Sequence, residues 1–236
     1  MSLTAGLIDL VHPPVCLACD ATLPGWRPGE DRRNVNLCSA CRGALVRYPR
    51  CERCSLATGA PGCDLCRDER FEFPVRVFGS HEGVLRSLLV EAKWHRSGAI
   101  LPVLADWCVD AARDEAWAAG CQLWAAVPRD PWRRLLHGTS LAEELAWRVG
   151  TTLRLRETRL RRRRRPPQAR LTEAARRRNV EGTARVPRRE RTGVEGRTVL
   201  LIDDVVTTGS TLRECARALT EAGAREIRAL VLAHHR

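Results

Sequence analysis

From Phe71 onward, short apolar runs alternate with longer stretches whose apolar residues recur three and four positions apart. Runs over Val75–Ser80, Leu123–Val127, Val199–Ile202 and Ile227–Ala233 have strand length and continuous apolar character, and Pro128 ends the second. Between them, Val84, Leu85, Leu88, Leu89 and Ala92 fall on one helical face, as do Leu101, Leu104, Ala105, Cys108 and Ala112. Leu141, Leu145 and Val149 define a helix that Gly150 should stop, and Leu212, Cys215, Ala216 and Leu219 define one that ends at Gly223. Strands alternating with helices of this length predict an α/β fold: a mainly parallel sheet flanked by helices on both faces, with ligands at the carboxyl ends of the strands.

The segment before Phe71 has a different organisation. Eight of the eleven cysteines form four C-x-x-C pairs there: Cys16/Cys19, Cys38/Cys41, Cys51/Cys54 and Cys63/Cys66. Two thiolates two residues apart can bind one ion from a single turn, and two such turns complete a tetrahedral four-thiolate cage. The expectation is a zinc-binding module over 1–70 with two structural zinc ions, joined to a larger unit over 71–236. Spacing alone leaves open which pairs share an ion; consecutive pairing is taken over a cross-braced one. Cys108, Cys121 and Cys215 have no partner at such spacing and read as small buried hydrophobes.

Charge changes the picture at one place. The chain carries +12, and residues 154–191 contain sixteen Arg and four Glu with no Lys or Asp, so this segment alone accounts for the excess. Such concentration predicts a loop or arm that meets something anionic such as phosphate groups. The N-terminus lacks a basic region and is interrupted by Asp9 and His12, which argues against a secretory signal. No run of about eighteen apolar residues exists to span a membrane. The expected location is cytoplasmic, where thiols stay reduced.

The candidate chemistry lies in VLLIDDVVTTGSTL, Val199–Leu212. An apolar strand leads into Asp203, Asp204 and Val205, then into Thr207, Thr208, Gly209, Ser210 and Thr211 before the helix. A loop entering a helix aims backbone N–H groups and the positive end of the helix dipole at one point, which suits a phosphate; hydroxyls add donors and glycine permits close approach. Carboxylates repel phosphate but accept hydrogen bonds from vicinal hydroxyls, so acids followed by donors match a ribose 5-phosphate. The loop has neither the lysine of a nucleotide P-loop nor a G-x-G-x-x-G pattern.

This stretch resembles the 5-phosphoribosyl 1-pyrophosphate (PRPP) motif of type I phosphoribosyltransferases. With the four C-x-x-C pairs, the chain is identified as a member of the competence protein F (ComF) family across 16–236. Lys93 with Gly98 is similar to that family's pyrophosphate loop; Val127-Pro128 closes a strand as in the family; Pro167, Gln168, Leu171, Arg176 and Asn179 resemble its P-Q-x-x-L…R-x-x-N segment. The chain has His137-Gly138-Thr139-Ser140-Leu141 where the family usually has Arg-Gly-Phe-Asn-Gln, and Arg165 where a Thr is frequent. The resemblance implies a type I phosphoribosyltransferase-like fold, Mg²⁺ bound with PRPP, and Lys93 near the leaving oxygens. It also implies that 154–191 acts as a flexible hood or loop over the site, and it leaves two functions open: phosphoribosyl transfer with pyrophosphate release, or a non-catalytic nucleic-acid-binding competence factor that retains PRPP or nucleotide recognition and meets single-stranded DNA through Arg161–Arg165. No residue stands out in the sequence as the base that activates an acceptor.

Overall fold

The computed structural model describes residues 15–23, 37–45, 71–94, 100–113, 118–129, 140–163 and 182–235. In chain order these form α1 (Ser39–Leu45), β1 (Val75–Ser80), α2 (Gly83–Trp94), α3 (Ile100–Arg113), β2 (Leu123–Ala126) and α4 (Leu141–Thr152). Three two-residue strands follow, β3 (Arg156–Glu157), β4 (Arg161–Arg162) and β5 (Ala184–Arg185), then α5 (Arg188–Val194), β6 (Thr198–Val206), α6 (Ser210–Thr220) and β7 (Glu226–His234). The main sheet runs β1-β7-β6-β2-β3 and every pairing in it is parallel. Because β2 proceeds through α4 to β3 while β6 proceeds through α6 to β7, the connections diverge between β2 and β6. That divergence opens a crevice at the carboxyl edge, the usual ligand position in such sheets.

Each face of the sheet is covered. Leu85, Leu88 and Leu89 of α2, Ile100, Leu104 and Cys108 of α3, and Leu145 and Val149 of α4 pack with Leu200, Ile202, Leu230 and Leu232 on one side. Leu212, Cys215 and Leu219 of α6 and Val194 of α5 pack with Val199, Leu201, Ala229 and Val231 on the other. The alternation of strand residues between two apolar layers explains why β6 and β7 read as continuous hydrophobic runs. Cys108, Cys121 and Cys215 are buried, as their isolated positions suggested. Cys16, Leu37 and Cys41 belong to the first layer, where α1 packs against α2, so the described part of the cysteine segment rests on the sheet's helical cover. Among the described residues, no helix is long and apolar enough to cross a membrane.

Two boundaries differ from the sequence reading. β6 continues beyond Ile202 to Val206 because β7 stays in register with it, Asp203 opposite Val231 and Val206 opposite His234, whereas β2 pairs with it only as far as Ile202. The acids therefore sit inside the strand. Gly150 does not end its helix; α4 runs on to Thr152. A Cβ at Gly150 would lie 2.2 Å from Cδ1 of Trp124, so the glycine is there for close packing on the indole of β2. The start of α4 is held by a capping box: Ser140 Oγ accepts from the Glu143 N–H and Glu143 Oε2 accepts from the Ser140 N–H. Ser140 is one of the positions that depart from the ComF pattern, and its hydroxyl supplies the cap.

The arginine-rich stretch 154–191, expected as a loop, has regular structure in its described parts. β4 and β5 pair as an antiparallel ribbon, Arg161 opposite Arg185, and α5 follows. Leu160, Ala184 and Val186 anchor the ribbon in the second apolar layer. Residues 164–181, with Pro167, Gln168, Leu171, Arg176 and Asn179, lie outside the described residues.

In an unobstructed helix interior, Gly→Ala gains roughly 1 kcal/mol. At Gly150 the sign should reverse: overpacking against Trp124 should cost about 1–3 kcal/mol for Gly150→Ala. Urea unfolding of the two proteins should show the lower midpoint in the variant, and an unchanged or higher midpoint would contradict the packing.

Candidate functional site

At the crevice, Asp203 is buried and Asp204 half-buried. The Asp204 N–H donates to Asp203 Oδ1 at 2.9 Å and the Val205 N–H to Asp204 Oδ1 at 2.8 Å, so each carboxylate also braces the backbone that follows it. Burial, followed by the neighbouring charge of Asp204, pushes the Asp203 carboxyl well above the usual carboxylate range, with Lys93 opposing. Lys93, in the last turn of α2, places Nζ 2.9 Å from Asp204 Oδ2. Two residues 111 positions apart are thereby brought together at the strand end.

The succeeding loop is shaped by Gly209. Its φ of +69° is left-handed, and a Cβ there would lie 2.4 Å from Cζ of Phe71. Gly209 caps α6 without a side-chain hydrogen bond, Thr208 Oγ1 and Ser210 Oγ lie 2.9 Å apart, and Arg213 Nη1 donates to the Thr208 carbonyl at 2.9 Å. The Arg213 guanidinium also stands 4.8 Å from the Phe71 ring centroid. Thr207 is exposed, Thr208, Ser210 and Thr211 are half-buried, and Gly209 is buried. This is a strand–loop–helix turn with hydroxyls at its mouth and a helix N-terminus behind it, which can receive an anion.

Sequence reasoning missed four residues of this neighbourhood. Phe71 and Arg213 support the loop, and neither belongs to a motif. His81 and His235 follow β1 and β7, with ring centroids 5.1 Å apart; the His81 N–H donates to the His234 carbonyl and the His235 N–H to the Val206 carbonyl. Burial, then the charges of His235, Lys93 and Arg86, holds His81 below its ordinary value of 6.5. Their signal was position: each follows an apolar run at the edge where the acids emerge. Of the remaining expected residues, Val127 and Pro128 are buried at the end of β2, while Gly98 and His137–Thr139 lie outside the described residues.

A second constellation is formed by the cysteines. The Sγ atoms of Cys16, Cys19, Cys38 and Cys41 all lie within 4.8 Å of one another. Tetrahedral metal–sulfur bonds of about 2.3 Å separate ligand sulfurs by roughly 3.8 Å, and Cys19 and Cys38 stand 3.8 Å apart. The Cys38 N–H points to Cys16 Sγ and the Cys41 N–H to Cys38 Sγ, both at 3.4 Å, as in thiolate knuckles. Burial works against the Cys16 thiolate, yet the N–H groups of Cys38, Ala18 and Cys19 bring its thiol down to about 6. These four residues could hold a metal ion. They come from the first two C-x-x-C pairs, in keeping with consecutive pairing; Cys51, Cys54, Cys63 and Cys66 lie outside the described residues.

Residues 137–236 match the phosphoribosyl transferase domain family. Over 237 aligned positions, the chain is 30% identical to the DNA utilization protein YhgH of Salmonella typhi and to that of Salmonella typhimurium, covering 92% of this chain and 96% of each relative. Among solved structures, a purine phosphoribosyltransferase from Pyrococcus horikoshii overlaps 56% of this chain and 73% of its own at 17% identity and a TM-score of 0.38.

The raised Asp203 carboxyl has a consequence for stability. Its folded-state value exceeds that of the unfolded chain, so the native state binds the proton more tightly and is penalised at every pH above the raised value. The penalty shrinks as pH falls and is gone below the ordinary value of 3.8. Asp203→Asn should therefore raise the thermal midpoint at neutral pH, with the advantage narrowing towards about pH 4. Melts across that range test it; a variant that is less stable at neutral pH would contradict the electrostatic account.

Proposed function

The chain belongs to the competence protein F (ComF) family of phosphoribosyltransferase-like proteins, and from that premise we propose that it binds Mg²⁺-PRPP at the carboxyl edge of β6. The observation that carries the reading is the meeting of Asp204 with Lys93 beside the left-handed Gly209 turn. In this reading Asp203 and Asp204 accept hydrogen bonds from the ribose 2- and 3-hydroxyls. The turn from Val205 through Thr207, Thr208, Gly209, Ser210 and Thr211 cradles the 5-phosphate with backbone N–H groups and hydroxyls. Lys93 exchanges its contact with Asp204 for the pyrophosphate oxygens. Mg²⁺, when bound, supplies positive charge to the departing pyrophosphate.

Phosphoribosyl transfer is the reaction this arrangement serves best. Departure of pyrophosphate leaves a cation-like ribosyl carbon, and the chain's part is to neutralise the leaving group and to align an acceptor. His81 and His235 are the nearby groups able to hold or accept an acceptor's proton. A second reading, a DNA-handling role like the one named for the Salmonella relatives, is favoured by the paired arginines of the β4–β5 ribbon. There phosphate contacts would dominate and affinity would fall steeply with salt.

For the cysteines we propose zinc: one ion held by Cys16, Cys19, Cys38 and Cys41, and a second by Cys51, Cys54, Cys63 and Cys66. Closed four-thiolate sites leave no open coordination position, so their role is folding.

Two measurements test these readings. Asp203→Asn and Asp204→Asn keep shape but replace a charged acceptor by an amide, which costs about 1.5–3 kcal/mol, or roughly ten- to a hundredfold in affinity. Calorimetric titration with Mg²⁺-PRPP should show that weakening in both; unchanged affinity removes the PRPP assignment. Metal analysis of freshly purified, reduced protein should find two zinc ions per chain and one in Cys16→Ser. Fewer than two in the parent protein refutes the two-cage count.

A further inference from the structure

A cavity of about 840 Å³ lies at the other border of the sheet, where β2 and β3 end beneath the β4–β5 ribbon. Its lining includes neither Lys93 nor any residue of 199–211. Three features distinguish its lining. Six arginines line it against three glutamates. One of them, Arg159, pairs with Glu157 at 3.1 Å, whereas Arg161, Arg162 and Arg185 of the ribbon have no ion pair among the described residues. Strand alternation produces this: Ala184 and Val186 turn into the core, leaving Arg185 outward.

The second feature is aromatic. Trp124 and Trp147 both line the cavity, and Trp147 on α4 has 57% of its surface exposed, with the Arg148 guanidinium 6.0 Å from its ring centroid. An exposed indole contributes nothing to the core, but offers a face on which a planar ring can stack. The third is Thr158, which lines the cavity, is only 3% exposed, and has a buried Oγ1 without a hydrogen-bond partner. Its N–H is already engaged by the Trp124 carbonyl, so the backbone is held while the hydroxyl of this lining residue stays unsatisfied. A buried hydroxyl left in that state is costly unless a ligand completes it.

We infer that this cavity is a second ligand site, distinct from the PRPP turn, for a small phosphorylated heteroaromatic compound such as a nucleoside monophosphate. Arg161 and Arg185, directly opposite each other on the outward face of the ribbon, take the phosphate, since guanidinium forks suit phosphate oxygens. The ring stacks on Trp147, and Thr158 hydrogen-bonds a polar atom of the base or sugar. The volume falls in the range of small-molecule pockets, and α4, the end of β2 and the ribbon all contribute to its lining, which favours a single nucleotide over a continuous strand.

The test titrates the full chain with AMP by calorimetry, with and without saturating Mg²⁺-PRPP. Adenosine, inorganic phosphate and a short single-stranded oligonucleotide form separate arms. AMP should bind in the presence of PRPP, at least tenfold more tightly than adenosine or phosphate. Affinity should fall at least tenfold in Trp147→Ala and in Arg161→Gln, and about threefold in Thr158→Val. Arg185→Gln, also at an exposed position, serves as an independent variant should Arg161→Gln fail to fold. Asp204→Asn should leave AMP binding at this site unchanged. Displacement of AMP by PRPP, loss of AMP binding in Asp204→Asn but not in the arginine variants, or binding of the oligonucleotide without AMP would each overturn the assignment. Failure of PRPP itself to bind refutes the PRPP reading alone, because the AMP arms and cavity variants still decide this one.

Discussion

β6 is hydrogen-bonded by β7 along its whole length and by β2 only as far as Ile202, and the features of the carboxyl edge follow from that unequal pairing. Where both neighbours are present, the strand is covered on both faces and is apolar throughout. Where β2 leaves, the backbone is still held straight by β7 while one flank opens, and Asp203 and Asp204 occupy that point. Their surroundings are consequently mixed. Asp203 is sealed in and disfavours its charge; Asp204 faces the opening, where Lys93 reaches it. A pair of identical residues is thus given two environments, one buried and one facing the opening, by one change in strand pairing.

The turn after the strand depends on contacts from distant parts of the chain. Phe71 fills the space that a side chain at 209 would need, and Arg213 lies over its ring while holding the Thr208 carbonyl. One turn further along α6, buried Glu214 accepts from the Ala184 N–H at 2.8 Å and pairs with Arg217. Although burial works against it, Arg217 and that N–H hold the Glu214 carboxyl below its usual range. Loss of Arg217 would be costly, because the charge of buried Glu214 would lose its partner. The helix behind the turn and the arginine ribbon are therefore joined as one structure, so the candidate site and the cavity under the ribbon share a support.

The cysteine cluster and the sheet are connected as well. Cys16 and Cys41 contribute both to the four-sulfur cluster and to the apolar layer containing α2, whose last turn supplies Lys93. A metal-stabilised fold in this segment would support the helix that brings the cation to Asp204, which gives a physical reason for joining the two.

Much of this was legible in the chain itself. Periodicity determined the order of the long strands and helices, because parallel strands buried on both faces and helices buried on one leave different spacings. Four repeated C-x-x-C turns and the acid–threonine–glycine run were readable because their geometry is local: a two-residue gap, or a strand entering a helix, brings the groups together whatever the rest does. Tertiary structure alone decided what depends on distant segments. The reach of Lys93 to Asp204, the wedge of Phe71 under Gly209, the packing role of Gly150 on Trp124, the meeting of His81 with His235 and the cavity around Thr158 each join residues separated by many positions. No periodicity encodes such contacts, since they arise from how parallel strands stack in an order unlike that of the sequence.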